Sequence, residues 1–195
     1  EGDEARPRGV RAFRQFVEVP KSFFQKAVLA DKPGKVEAIE KAPQGGYNIS
    51  ISGRSHYVPP GRQLLVSKGA SVEAGDVMSS GIPSPSEVVK GKGLGEGRRY
   101  LVDALNQVYD DSGQNIDQRH LELLAKSQLG FVKIKGKVPG YLPGEVVPYQ
   151  QYRAAANFNA KKTGLTESVG RTLAAPALHH LPGTMVQKSM LKDFK

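Results

Sequence analysis

The chain has no cysteine and no tryptophan in its 195 residues. Without thiols there is no disulfide framework and no thiolate-bound zinc or iron–sulfur centre. A reducing compartment suits that absence. No stretch approaches the ~20 consecutive apolar residues that a membrane-spanning helix needs. The start, Glu1-Gly2-Asp3-Glu4, is acidic and polar, the opposite of a secretory signal. It also lacks an initiating methionine, as expected of a processed product or a fragment of a longer polypeptide. There is no Gly-x-Ser-x-Gly elbow for a nucleophilic serine. Asp110-Asp111 stands alone, with no Asp-x-Asp-x-Asp cluster to hold Mg²⁺ for phosphoryl transfer.

Histidine is also scarce, at four residues. His120 and Glu122 share a helix at i,i+2 spacing, which puts them on different faces. A structural role for His120 is expected rather than a metal pair. His179 and His180 are adjacent, so their side chains diverge in regular structure, and no carboxylate lies nearby in sequence. His56 precedes a Pro-Pro turn, where packing is expected. No catalytic residue and no metal ligand is assigned, and no cofactor is expected on this chain.

What is plentiful is glycine, 22 residues, proline, 13 residues, and positive charge. The Gly and Pro content favours short strands, tight turns and extended connections over a helical bundle. Lys+Arg 28 against Asp+Glu 19 gives a net charge of +9. That balance suits polyanionic partners such as DNA, RNA or an acidic protein face. It also suits a merely solvated basic surface. The length allows one domain or two small ones.

Along the chain, residues 1–34 read as a basic arm followed by a short helix from Lys21 to Leu29, which Pro20 starts. Residues 35–90 read as a small barrel. Lys35–Lys41 and Tyr47–Ile51 alternate polar and apolar, the period of half-buried strands. A further strand is expected over Arg62–Val66. Turns fall at Pro59-Pro60-Gly61, Lys68-Gly69 and Ala74-Gly75-Asp76. Residues 91–130 read as a helical hairpin. Leu101, Val102, Leu105, Val108 and Tyr109 share one face of a helix spanning Arg98–Asp111. Asp117 caps a second helix with Leu121, Leu124 and Leu129 inward. The glycine-rich run Lys90–Gly97 has no Lys-Ser or Lys-Thr at the phosphate position, so it is expected to be a flexible hinge rather than a phosphate loop. Residues 131–195 hold a strand from Phe131 to Lys135, a turn at Leu142–Glu145, a helix within 149–162 and a tail. The fold class expected is α+β: a small β-barrel followed by a helical hairpin, with extended arms at both ends. The close turns around Val72 are also typical of biotinyl and lipoyl carriers. A carrier needs a modifiable Lys, and Met78 has none beside it.

The central block resembles the C-terminal part of the beta-prime subunit of bacterial-type multisubunit DNA-dependent RNA polymerase. The residues that carry the resemblance run in order over about residues 16–150. They are Tyr57, Val58, Pro59, Gly61 and Arg62; Leu65-Val66; Gly69, Val72, Ala74, Gly75 and Asp76; and Gly81 and Pro85. They continue with Tyr100-Leu101-Val102; Val108-Tyr109; Gly113, Ile116, His120, Leu121 and Glu122; and Leu142-Pro143-Gly144-Glu145. Val19-Pro20 with Phe23-Phe24 matches the family's entry segment more loosely.

The resemblance implies a sandwich-barrel hybrid motif and a structural, DNA-facing role within a nucleotidyltransferase. Catalytic residues and Mg²⁺ are then expected on other segments or chains of the complex. Arg54, Arg62, Lys68, Lys90, Lys92, Arg98 and Arg99 are the candidate contacts to downstream DNA or a partner, with salt-dependent binding. Pro59, Gly61, Gly69, Gly75, Asp76, Tyr100, Tyr109, His120, Glu122 and Gly144 are the motif positions expected to specify shape. Other polymerase subunits and DNA are the expected partners, in a bacterial or infected-cell cytoplasm. The family's acidic Mg²⁺ loop, bridge helix and trigger loop would lie in preceding sequence. The segment from Thr172 to Lys195 is unlike the family. A phage-encoded or split polymerase accounts for that, and so does a virion or interaction protein that reuses the module.

Overall fold

The computed structural model describes residues 9–18, 23, 25–155 and 161–194. Strands β1 (Gly34–Lys41), β2 (Tyr47–Ile51), β3 (Arg54–Val58) and β4 (Ser71–Val72) form one antiparallel sheet in the order β3-β2-β1-β4. The β2–β3 hairpin turns on Ser52 and Gly53, both at positive φ. A register irregularity between Val36 and Ala38 bends β1 where the sheet curls.

The curl is closed by irregular segments rather than by further strands. Leu29 bridges Val77, and Leu64 bridges Ser79. Met78 N–H donates to the Val28 carbonyl at 2.8 Å, and Leu65 N–H donates to the Met78 carbonyl at 2.9 Å. The result is a half-barrel whose core is Ala30, Val36, Ile49, Ile51, Val58, Val72 and Met78, all buried. The alternation in β2 places Ile49 and Ile51 on the inner face, at 0% and 2% exposure.

Two expectations fail here. Residues 26–30 are extended, Gln25 is a turn residue at positive φ, and the stretch is hydrogen-bonded to 76–82, so the described part of the expected Lys21–Leu29 helix is not helical. Residues 19–22 and 24 lie outside the described residues. Likewise Arg62–Val66 is not a ladder strand. It meets the barrel through the Leu64 bridge and the Gln63 and Leu65 backbone. In both cases tertiary pairing outweighs local pattern.

The helical layer consists of α1 (Gly9–Val17), α2 (Pro85–Asp110) and α3 (Gln118–Gln128). Leu101, Val102 and Leu105 of α2 meet Leu121 and Ala125 of α3 in a second core, with Phe13, Phe16 and Val17 of α1 against it. Asp117 caps α3 as expected, its carboxylate accepting the Arg119 N–H at 2.9 Å. Thus the described end of the expected N-terminal arm, residues 9–17, is a packed helix. Residues 1–8 lie outside the described residues.

Helix α2 starts at Pro85, well before Arg98, and kinks at Gly93 (φ 88°). The glycine run is therefore not a flexible hinge. Gly91, Gly93, Gly95 and Gly97 are all buried. A Cβ on Gly91 would sit 2.5 Å from Gly75 Cα, and one on Gly95 would sit 2.9 Å from both Leu181 O and Thr184 N. Gly91, Gly93 and Gly95 are glycine because two other backbones press on them, and Gly97 because Val89 does.

Beyond α3, strands β5 (Phe131–Lys133) and β6 (Val146–Pro148) pair antiparallel, followed by α4 (Tyr149–Ala155). The C-terminal tail is not an extended arm. Gly170–Leu173 runs antiparallel to Gly183–Val186, with Leu173 N–H donating to Thr184 O at 2.9 Å and Val186 N–H to Arg171 O at 2.8 Å. Met185 N–H then donates to Lys92 O at 2.9 Å, inside the kink of α2. No helix among the described residues is long and apolar enough to cross a membrane.

Candidate nucleic-acid and partner interface

The seven basic candidates separate into three groups by what holds them. Arg54, at the head of β3, and Lys90, in the first half of α2, converge on Asp31. Arg54 Nη1 lies 3.6 Å from Asp31 Oδ2, and Lys90 Nζ lies 3.8 Å from Oδ1. Next to them Lys26 pairs with Glu87 at 2.6 Å. This is a mixed-charge cluster at the junction of barrel and helix. The cleft it borders, lined by Leu29, Ala30, Asp31, Glu87, Lys90 and Gly91, measures about 30 Å³. That is one water's share of liquid volume, far below a small-molecule site.

Lys92 and Arg98 are absorbed by the fold. Lys92 Nζ lies 3.0 Å from Asp76 Oδ1 and is largely covered. Arg98 Nε donates to Leu129 O at 3.1 Å, at the C-terminal end of α3, where a cation complements the helix dipole. Burial pulls the Arg98 guanidinium below its ordinary value, with Tyr149 opposing the shift. A guanidinium stays charged at neutral pH all the same. Arg62, Lys68 and Arg99 form no ion pair among the described residues. Lys68 and Arg99 are exposed and Arg62 is half-buried. Among the seven candidates, they are the cations left free for an external anion.

The motif positions divide as well, into those in turns or side-chain contacts and those on the open face of α3. Gly69 and Gly75 have positive φ, 86° and 81°. Asp76 closes its turn, accepting the Glu73 N–H at 2.8 Å on Oδ2 while Oδ1 holds Lys92. Tyr100 OH donates to Pro83 O at 2.7 Å, and burial raises its pKa. Tyr109 meets Phe13 edge-on, ring centroids 6.0 Å apart. Gly61 and Gly144 also take positive φ, and Pro59 follows the end of β3. Each of these shapes the chain.

His120 and Glu122 do not. Both are exposed on α3, beside Leu123 at 64% exposure. The expected packing role for His120 is not met. Leu121 and Ala125 take the inner stripe of α3, so His120 and Glu122 face out. His56 does pack: it is half-buried on β3, and its Nε2 accepts the Asp31 N–H at 3.4 Å.

Comparison with known proteins decides the family. The family described as RNA polymerase Rpb1, domain 5, matches residues 24–137, which holds the half-barrel, the α2–α3 hairpin and β5. The chain belongs to the RNA polymerase Rpb1 domain 5 family.

Three relatives show the range of similarity, each a DNA-directed RNA polymerase subunit beta-prime. That of Elusimicrobium minutum is 31% identical over 152 residues, covering 74% of this chain and 11% of the relative. That of Syntrophomonas wolfei is 31% identical over 170 residues, 81% of this chain and 14% of the relative. That of Aquifex aeolicus is 36% identical over 101 residues, 50% of this chain and 6% of the relative. The Rpb1 domain 5 chain thus corresponds to a segment of a beta-prime subunit, and it spans only about a tenth of the length of such relatives. Charge signals in the sequence marked Lys92 and Arg98 as surface contacts. Nothing local marked Asp76 and Leu129 O as their partners.

Proposed function

We propose that this chain is a non-catalytic, structural and DNA-facing part of a multisubunit DNA-dependent RNA polymerase large subunit. Catalysis and its Mg²⁺ come from other segments or chains. The observation that carries the proposal is the outward set on α3. His120 and Glu122 belong to the family motif, yet neither packs inside this chain. Motif residues on an open face, next to an exposed Leu123, fit contact with the body of the enzyme. Phe131 and Val146 on the β5–β6 pair, 60% exposed each, extend the apolar surface available for subunit assembly. In this reading the half-barrel is a sandwich-barrel hybrid motif, and the complex works in a bacterial or infected-cell cytoplasm.

DNA contact rests on the unpaired candidates. Arg62, Lys68 and Arg99 contribute sequence-independent, salt-dependent binding, and Arg54 and Lys90 contribute less because they share the Asp31 carboxylate.

Affinity capture of the tagged chain from its native source tests the proposal. It should recover a chain with the acidic Mg²⁺ loop and support RNA synthesis. Recovery of a particle without such a chain defeats the polymerase reading and leaves a virion or interaction protein. In DNA binding by the captured complex, Lys68→Glu or Arg99→Glu should each lower the salt slope by about 1. An unchanged slope removes DNA from the proposal while leaving the assembly role.

A further inference from the structure

The tail builds a cluster that neither the half-barrel nor the α2–α3 hairpin requires. A tight turn brings Ala177 and His180 into a mutual bridge, with Leu178 at the left-handed φ of 52°. That strained turn sets the rings of the adjacent His179 and His180 side by side, centroids 4.1 Å apart. In regular structure two neighbouring histidines point apart, and no local pattern joins them. Two carboxylates distant in sequence complete the group. Glu96, just past the kink of α2, puts Oε1 3.3 Å from His180 Nδ1. Asp193, after the final 3₁₀ turn, puts Oδ2 3.8 Å from His180 Nε2.

His180 is 5% exposed, and its Nε2 has no hydrogen-bond partner among the described residues. A buried ring nitrogen without a partner is costly, and it needs an explanation. The Glu96 carboxylate supplies one. In the tautomer whose Nδ1–H donates to Glu96, Nε2 is a bare lone pair facing Asp193. A carboxylate behind an imidazole is the arrangement that orients a metal-binding histidine and raises its basicity. One ligand atom each from His179, His180 and Asp193 lies within 4.8 Å of the others.

We infer that His179, His180 and Asp193 form a binding site for a zinc-like divalent transition metal, with Glu96 as the positioning residue behind His180. Two imidazole nitrogens and one carboxylate oxygen suit zinc, whereas Mg²⁺ and Ca²⁺ favour all-oxygen sets. Ligand atoms at ~2.0–2.2 Å from a tetrahedral ion stand roughly 3.3 Å apart. The 3.8 Å between His180 and Asp193 needs only a small closure. His179 and Asp193 are both exposed and free to rotate inward. The site would clamp the returning tail against α2, since its ligands come from the tail and its orienting carboxylate from the helix. This inference is independent of the polymerase reading.

Titration of the chelator-stripped full chain with Co²⁺ is the test. The expected result is one equivalent bound, with the visible absorption of a four- or five-coordinate site and a Kd tighter than about 10 µM. Zn²⁺ should abolish that spectrum, and Mg²⁺ should not. His179→Ala and Asp193→Asn, both at exposed positions, should each weaken binding at least about tenfold, and Glu96→Gln by about 10-fold. Zn²⁺ should slow amide exchange over residues 172–187 in the wild-type chain and not in the H179A/D193N double variant. A Kd weaker than that limit overturns the inference, because the cluster is then only an imidazolium held between two carboxylates. Binding that survives unchanged in the double variant overturns it too, because the ion then sits elsewhere.

Discussion

Two regions of this molecule use family residues in opposite ways. One is the seam where the 73–76 turn, the kink of α2 and the C-terminal tail meet. There Gly75 backs onto Gly91, Asp76 holds Lys92, and Glu73 accepts the Lys188 N–H at 2.8 Å. Gln187 Nε2 adds a bond to Ala74 O at 2.8 Å. The other is the flank formed by the outer side of α3 and the β5–β6 pair. Its notable residues, His120, Glu122, Leu123, Phe131 and Val146, are exposed. The seam is complete within the chain, and the flank is not. Under the proposed function, the difference separates residues that specify this chain's own shape from residues that contact something outside it.

The sharpest way to break the comparison is to remove a core contact and set it against an exposed one. Leu105 is fully buried between α2 and α3, at 0% exposure. Leu105→Ala should cost about 2–5 kcal/mol by denaturant unfolding. Leu65→Ala, at a position 58% exposed, should stay within about 0.5 kcal/mol. Equal losses would mean that exposure does not separate structural from outward residues in this chain, and the comparison would lose its basis.

The seam itself comes next. Gly91→Ala forces a Cβ to within 2.6 Å of the Gly75 nitrogen, a backbone atom that cannot rotate away. The expected cost is about 1–3 kcal/mol. Gly136→Ala is the control, because a Cβ there meets nothing within 4 Å and no positive φ is required. If the two alanines behave alike, the glycine run is a hinge after all.

That run marks the limit of what could be read from the sequence. The helix over Leu101–Tyr109 was legible because an apolar stripe repeats every three to four residues, a local signal. Strands β1 and β2 and the Asp117 cap were legible for the same reason. The glycines at 91, 93, 95 and 97 carry no such signal, since what fixes the first three is the backbone of Gly75 and of residues 181–185, and what fixes Gly97 is Val89 across the kink. His179 and His180 looked unsupported because Glu96 lies 84 residues from His180 in the chain. Lys92 and Arg98 read as surface charge for want of any local sign of Asp76 or Leu129 O. Local periodicity survives in one dimension, and close packing between distant segments does not.

Tyr100 gives a smaller effect with its own pH signature. Its hydroxyl donates to Pro83 O, tying the middle of α2 to the end of the barrel. Tyr100→Phe should lose about 0.5–1.5 kcal/mol near neutral pH. Burial raises the pKa of Tyr100, so the folded chain keeps the phenolic proton after the unfolded chain has released it. The stability from this group is therefore full below the unfolded value of about 10, and it falls as pH rises from there toward the raised folded value. The Phe variant should lose less stability than wild type between about pH 9.5 and 11. A parallel decline in the two proteins would mean that Tyr100 is ionised as readily folded as unfolded.

The smallest effect on stability belongs to the flank, and there the comparison is most exposed to failure. His120→Ala, Glu122→Ala and Leu123→Ser should each leave unfolding within about 0.5 kcal/mol of wild type, since none packs inside the chain. Their effect should appear in assembly instead, as a lower yield of the polymerase chains captured with this one. A central contact in a subunit interface commonly costs more than ~1 kcal/mol when truncated, several-fold in affinity. Leu123→Ser is the most telling of the three, because it removes apolar area without adding charge. If it weakens folding and leaves capture unchanged, the outer side of α3 serves this chain alone, and the outward motif residues lose their claim on a partner. If it leaves folding alone and weakens capture, the flank is the docking face and the seam is the frame that holds it in place.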